Sequence, residues 1–196
     1  MKTTRFTQHI KWSTCLRLLA IWGFVLPLSL GSGVAATAAQ NEFKVTTVYL
    51  VRHAEKAAAP AADPPLTEAG TKRAEELARK LGKAGIKTIS TSQFLRTQAT
   101  AEPLAKQLGI TNTVIPVKMD TMNSRQLSPE YLKQVSDLVS SSAGSVLIVG
   151  HSNTVPELIK ALGGDIVPTI DDATYDDLFV VTVYAKGKAK VAHLKQ

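Results

Sequence analysis

Cysteine is nearly absent: the chain holds one, Cys15, and it lies in an N-terminal segment that reads as removable. A domain left without cysteine cannot be held by disulfides, so its stability must come from a packed core. Aromatic residues make up only 6% of the sequence and are not interleaved with basic ones. That excludes the stacking platform on which single-stranded nucleic acid is bound, and no nucleic-acid partner is expected. Residues 1–39 contain no acidic residue, and the one marked apolar run, Leu18 to Leu26, is well short of the ~20 residues a membrane span needs. No internal repeat is present.

What the first segment does contain has an order. Lys2, Arg5, Lys11 and Arg17 come first, the apolar run next, and the small residues Val34-Ala35-Ala36-Thr37-Ala38-Ala39 last. This is the pattern of a secretory signal peptide. Residues 1–38 are therefore expected to be a signal peptide cut near Ala38, and residues 39–196 a single domain, periplasmic or secreted, with no stable membrane association after removal. The alternative, an uncleaved anchor, also exports the domain. Cys15 precedes the apolar run, which argues against a lipid-modified cysteine at the mature N-terminus. The formal charge of +7 shrinks once the four basic residues of this segment are set aside: 19 basic residues then face 16 acidic ones, or +3. A polyanion-binding surface is not implied, and Lys186-Gly187-Lys188-Ala189-Lys190 reads as the solvated turn of a hairpin.

The rest of the chain alternates between two periodicities. Val45 to Val51 is β-branched and nearly continuously apolar, as a strand buried on both faces should be. After a loop with Pro60, Pro64 and Pro65, Thr67 caps a helix carrying Ala74, Leu77, Ala78 and Leu81 on one face. Ile86–Thr91 reads as a strand, Thr97–Leu108 as a helix stopped by Gly109, and Thr113–Val117 as another strand. Ser128-Pro129-Glu130 opens a third helix. Ser145–Val149 is a strand, Asn153–Leu162 a helix, and Leu178–Ala185 with Ala189–Leu194 a terminal hairpin. Strands alternating with helices predict an α/β fold, a three-layer sandwich around a mainly parallel sheet.

In such sheets ligands bind beyond the carboxyl ends of the strands. Arg52 and His53 follow the first strand, Ser92 and Arg96 the second, and His151 the strand Val146 to Val149, so three segments deliver two arginines and two histidines to one rim. An anion is needed to join permanently charged guanidinium groups, and phosphate suits their forked geometry. A neutral imidazole is a nucleophile near pH 7 and forms a P–N bond that water can break. A zinc site of His53, Glu55 and His151 is the chemical rival, disfavoured by Arg52 beside the metal. No metal and no cofactor are expected.

These motifs resemble those of the histidine phosphatase superfamily, which includes the phosphoglycerate mutases. Leu50-Val51-Arg52-His53-Ala54-Glu55 resembles its Arg-His signature, and Leu66-Thr67-Glu68-Ala69-Gly70 its next element. Ser92 with Arg96-Thr97 and Thr100-Ala101 resembles its second-arginine helix, and Val149-Gly150-His151-Ser152-Asn153 its second-histidine turn. The resemblance spans about residues 45–185 and implies a phosphoglycerate mutase-like fold in the branch of small phosphatases. By it His53 is the residue phosphorylated, and Arg52, Arg96 and His151 complete the phosphate pocket. Ser152 and Asn153 are expected to touch substrate, although Asn153 is equally suited to cap its helix. The proton donor is open: Glu55 is the first candidate, with Asp120, Asp172 and Asp176 behind it, and a salt bridge to Arg52 or Lys56 is the competing role for Glu55.

The expected activity is metal-independent hydrolysis of a small phosphorylated substrate through a phosphohistidine. Phosphohistidine-protein or lipopolysaccharide-sugar phosphatase activity and a non-catalytic phosphate-binding module are the alternatives. Nothing in the sequence sets an oligomeric state.

Overall fold

The computed structural model describes residues 44–123, 126–165 and 168–196. The predicted signal peptide, residues 1–38, lies outside the described residues. Ten elements follow in order: β1 (Thr46–Arg52), α1 (Glu68–Leu81), β2 (Ile86–Thr91), α2 (Leu95–Leu108), β3 (Thr113–Val114), α3 (Pro129–Ser141), β4 (Ser145–Gly150), α4 (Thr154–Ala161), β5 (Asp177–Ala185) and β6 (Lys188–Lys195). The six strands form one sheet in the order β3-β2-β4-β1-β5-β6. The pairs β3·β2, β2·β4 and β4·β1 are parallel, and β1·β5 and β5·β6 antiparallel, so the sheet is mixed and mostly parallel.

The strands are apolar on both sides because both sides are covered. Successive residues point to opposite faces. Val48, Leu50, Val146, Ile148, Phe179 and Val181 pack with Tyr131, Val135 and Val139 of α3 and Val155, Leu158 and Ile159 of α4. Val51, Leu147, Val149 and Leu178 pack instead with Leu77, Ala78 and Leu81 of α1 and Ala101 and Leu104 of α2. Two cores therefore sandwich the sheet, and the architecture is the expected three-layer one.

Several boundaries differ from the sequence expectation, and three of them bear on the site. The ladder of β3 ends at Val114 rather than Val117: Ile115 still donates to Thr91, but Pro116 has no N–H to continue it. Helix α2 starts at Leu95, two residues early, because the Asp63 carboxylate, 32 residues away, accepts the Leu95 N–H. Helix α4 starts at Thr154, with Asn153 at the cap position but making no side-chain capping bond. The caps at Thr67 and Ser128 form as expected, accepting from Gly70 and Tyr131. Gly187 turns the hairpin with φ +68°, where a side chain would be strained.

Candidate active site

Register brings the rim together. Arg52 stands beside Gly150 across the β1·β4 ladder, and Thr91 beside Val149 across β2·β4. The residues that follow these strand ends, His53, His151 and Ser92, are therefore neighbours without any special loop. A cleft of ≈430 Å³ opens here, walled by Arg52, His53, Arg96, His151, Ser152 and Asn153 and rimmed by Asp172. Lys56, Gln93, Phe94, Val117, Met119 and Thr154 complete its wall. A larger groove of ≈680 Å³ runs along the outer face of α2, but its ionisable lining is only Glu102 and Lys106, and it collects no comparable constellation.

His53 is buried, 3% exposed. Its backbone N–H donates to Gly150, and its Nδ1–H donates to the Ala54 carbonyl at 2.7 Å. A carbonyl only accepts, so that bond places the ring proton on Nδ1 and leaves the Nε2 lone pair free. Burial pushes the His53 pKa down to about 4, and Arg52, Arg96 and Lys56 push the same way, while the Ala54 hydrogen bond opposes them. Ala54 is tied to α2: its N–H donates to the Thr100 hydroxyl, which donates to the Arg96 carbonyl. The nucleophile's loop and the second arginine are thus joined through one side chain.

His151 lies with its ring centroid 5.4 Å from that of His53. Its Nε2 is 3.0 Å from the Ser92 hydroxyl, which is in turn 2.9 Å from the Thr97 hydroxyl. Burial, then the neighbouring His53, Arg96 and Arg52, lower the His151 pKa to about 3. Both rings are therefore uncharged near neutrality.

The arginines are mounted alike. Arg52 Nη1 donates to the carbonyls of Asp171, Asp172 and Thr174, and its guanidinium lies 4.2 Å over the Tyr175 ring. Arg96 stacks 4.3 Å over the Phe94 ring, and its Nη1 is 3.6 Å from Asp63. Each is backed by an aromatic face and one carboxylate group, at 3.7 Å from Asp172 for Arg52. Neither Nε–H has a partner among the described residues, although both are buried. Buried unpaired donors are costly, and both belong to guanidinium groups that line the cleft, whose forks suit anionic oxygens. The Arg96 pKa is pushed down by burial, with Asp63 opposing and Arg52 acting in the same direction as burial.

Of the residues expected from sequence, Arg52, His53, Arg96, His151, Ser152 and Asn153 all line this cleft, and Glu55 does not. Its carboxylate turns to α1 and takes three hydrogen bonds from Arg73, at 2.6–3.0 Å. The salt-bridge role is the observed one, with Arg73 rather than Arg52 or Lys56 as partner. Those hydrogen bonds hold the Glu55 carboxyl below its ordinary range, the wrong direction for a proton donor. The rival grouping of His53, Glu55 and His151 is accordingly not formed, and among the described residues no three His, Cys, Asp or Glu side chains are grouped as a metal site. Phe94 and Asp63 escaped the sequence reading, while the parts of Tyr175 as an arginine's stacking face and of Thr100 as a hydrogen-bond link were not assigned in it. Only Thr100 had a local signal, in its spacing of four from Arg96.

Comparison with known proteins agrees with this geometry. A model of the histidine phosphatase superfamily (branch 1) matches residues 48–122, which include Arg52, His53 and Arg96. The probable phosphoglycerate mutases GpmB of Yersinia pestis and Yersinia pseudotuberculosis are 32% identical over 120 residues, 55% of this chain and 56% of theirs. The chain thus spans about half the length of these curated relatives. Among solved structures, the protein histidine phosphatase SixA complexed with tungstate superposes with a TM-score of 0.61 at 22% identity, covering 76% of this chain and 96% of that one. A phosphoglycerate mutase of Bacillus anthracis gives 0.60 at 18% identity, covering 78% and 94%. A mycobacterial glucosyl-3-phosphoglycerate phosphatase gives 0.56 at 15% identity, covering 78% and 98%. At these identities the superpositions speak for the fold alone, which is phosphoglycerate mutase-like. The order of its motifs, the family-model match over residues 48–122 and the shared fold together support the histidine phosphatase superfamily for this chain.

Proposed function

We propose that this protein is an exported phosphatase that hydrolyses small phosphomonoesters through a phosphohistidine on His53, without a metal. One observation carries the reading: the buried imidazole of His53, its proton held on Nδ1, shares a cleft with the guanidinium groups of Arg52 and Arg96. Nε2 of His53 attacks phosphorus in line with the leaving oxygen, while Arg52, Arg96 and His151 meet the equatorial oxygens. The phosphorylated ring gains positive charge, which the Nδ1–H bond to Ala54 disperses. Water then attacks phosphorus and returns the lone pair to Nε2.

The exposed rim, where the Asp172 side chain is 90% exposed, supports hydrolysis over transfer to a second substrate hydroxyl. The basic, apolar, small-residue order of residues 1–39 supports export. Rapid quenching with a ³²P-labelled phosphomonoester tests the chemistry. An acid-labile, alkali-stable label is expected on the wild-type chain and none on His53→Ala. Normal turnover in a folded His53→Ala would defeat the reading, and phosphate binding without any label would make the protein a binding module. Export is tested by the mass of the protein recovered from the periplasm or medium, with loss of about the first 38 residues expected from the leader pattern.

A further inference from the structure

Displacement of an alcohol from phosphorus needs a proton for the departing oxygen, and His53, Arg52, Arg96 and His151 do not supply one: the rings are unprotonated and the guanidinium groups hold their protons. A carboxyl in the cleft is the group best suited to supply it. The acids near it are nearly all engaged elsewhere. Glu55 is bound by Arg73. Asp63 spends both oxygens on the Leu95 N–H at the start of α2. Asp120 accepts the N–H groups of Met122 and Asn123 in its own turn. Asp176 pairs with Lys195, and Asp177 with His193 and Lys195, on the hairpin.

Asp172 remains. Among the described residues it is the one carboxylate that lines the His53 cleft. Its position is fixed at two levels. Arg52 Nη1 holds the backbone carbonyls on either side of its Cα, those of Asp171 and Asp172, and that of Thr174. The Ser152 hydroxyl donates to Oδ1 at 2.9 Å and so aims the side chain, while no described residue bonds Oδ2. We infer that Asp172 is the general acid of this site, oriented by Ser152 and carried on a segment clamped by the phosphate-binding Arg52.

The inference rests on the phosphohydrolase reading. In the first step Nε2 of His53 forms a bond to phosphorus, the P–O bond to the leaving group breaks, and the leaving oxygen takes the Asp172 proton to depart as a neutral alcohol. In the second, water adds to phosphorus and gives its proton to the Asp172 carboxylate. The P–N bond breaks with its electron pair returning to Nε2, and inorganic phosphate leaves with the acid reset.

The experiment compares kcat/KM, which reports the phosphorylation step, for glycerol phosphate and 2,4-dinitrophenyl phosphate on the purified protein. The first needs a protonated leaving oxygen and the second does not. Asp172→Asn keeps an acceptor for Ser152 but has no proton to give, and should lower the glycerol-to-dinitrophenyl ratio by about 100-fold or more. Asp172→Glu, which retains a carboxyl, should recover part of the ratio. Equal losses on both esters in Asp172→Asn would overturn the inference and make Asp172 a support for Arg52. Absence of labelled phosphohistidine in the wild type would instead remove the reading beneath it, and a ratio unchanged with labelling intact sinks the acid alone.

Discussion

Nε2 of His53 is kept available by two independent means. The Ala54 carbonyl selects the tautomer, and burial disfavours the charged ring, outweighing the bond to Ala54 that would raise its pKa. The consequence is an acid limb of kcat/KM, which reports the free enzyme, lying near the His53 value of about 4 rather than the ordinary 6.5. A limb measured near 6.5 would show that the ring is far more solvated than its surroundings suggest. The arginines permit a second expectation. Arg96→Ala removes a preorganised donor and should lower kcat by 100-fold or more, about 3 kcal/mol of barrier. Arg52→Lys should fare little better, since an ammonium cannot reach three carbonyls on one side and phosphate on the other.

Elements meet around the site through backbone approach as much as through side chains. A Cβ on Gly70 would stand 2.2 Å from the Glu55 carbonyl oxygen and 3.0 Å from its nitrogen, so the first turn of α1 lies directly on the chain that follows His53. Thr67 N–H donates to the same carbonyl. Gly70→Ala must therefore push α1 and this loop apart, with a destabilisation of about 1–3 kcal/mol as for other overpacked positions. Thermal unfolding should show the loss, and activity should fall with it, although residue 70 touches no substrate. This contact also explains the Leu66 to Gly70 motif, whose glycine the sequence marked by resemblance alone. Legibility followed locality in general. Strand ends bearing Arg52, His53 and His151, and the caps at Thr67 and Ser128, were readable because a few adjacent residues determine them. The early start of α2 was not, since Asp63 caps it from a distant loop, nor was the Arg73 partner of Glu55, one helix turn beyond Gly70. Phe94 and Tyr175 carry no local sign that an arginine will stack on them.

At the scale of the molecule, the three layers were legible because the strands read as apolar on both faces, which only a doubly covered sheet tolerates. The antiparallel addition of β5 and β6 was visible as a hairpin, while its placement beside β1 is a tertiary fact. Two buried, uncharged histidines set the acid stability of the whole fold. Unfolded, both rings take up a proton below about 6.5; folded, they resist until about 4 and about 3. Protons then bind preferentially to the unfolded chain, so stability is full above about 6.5 and declines as pH falls towards 4. The melting temperature should fall across that interval, and the slope should be shallower in His53→Asn. The uncompensated cations predict a further global effect. Inorganic phosphate at 100 times its Kd should add about 2.7 kcal/mol to stability, and Arg96→Ala should lose most of the resulting rise in melting temperature.

The grip of Arg52 on the carbonyls of Asp171, Asp172 and Thr174 makes one guanidinium answer to two masters. Whatever steadies it from the cleft side steadies the 171–175 backbone as well, and linkage makes the relation mutual. Amide protons of this segment should therefore exchange with deuterium more slowly when orthovanadate is bound, and a protease should nick it less readily. Exchange there becomes a gauge of site occupancy that needs no substrate to be known.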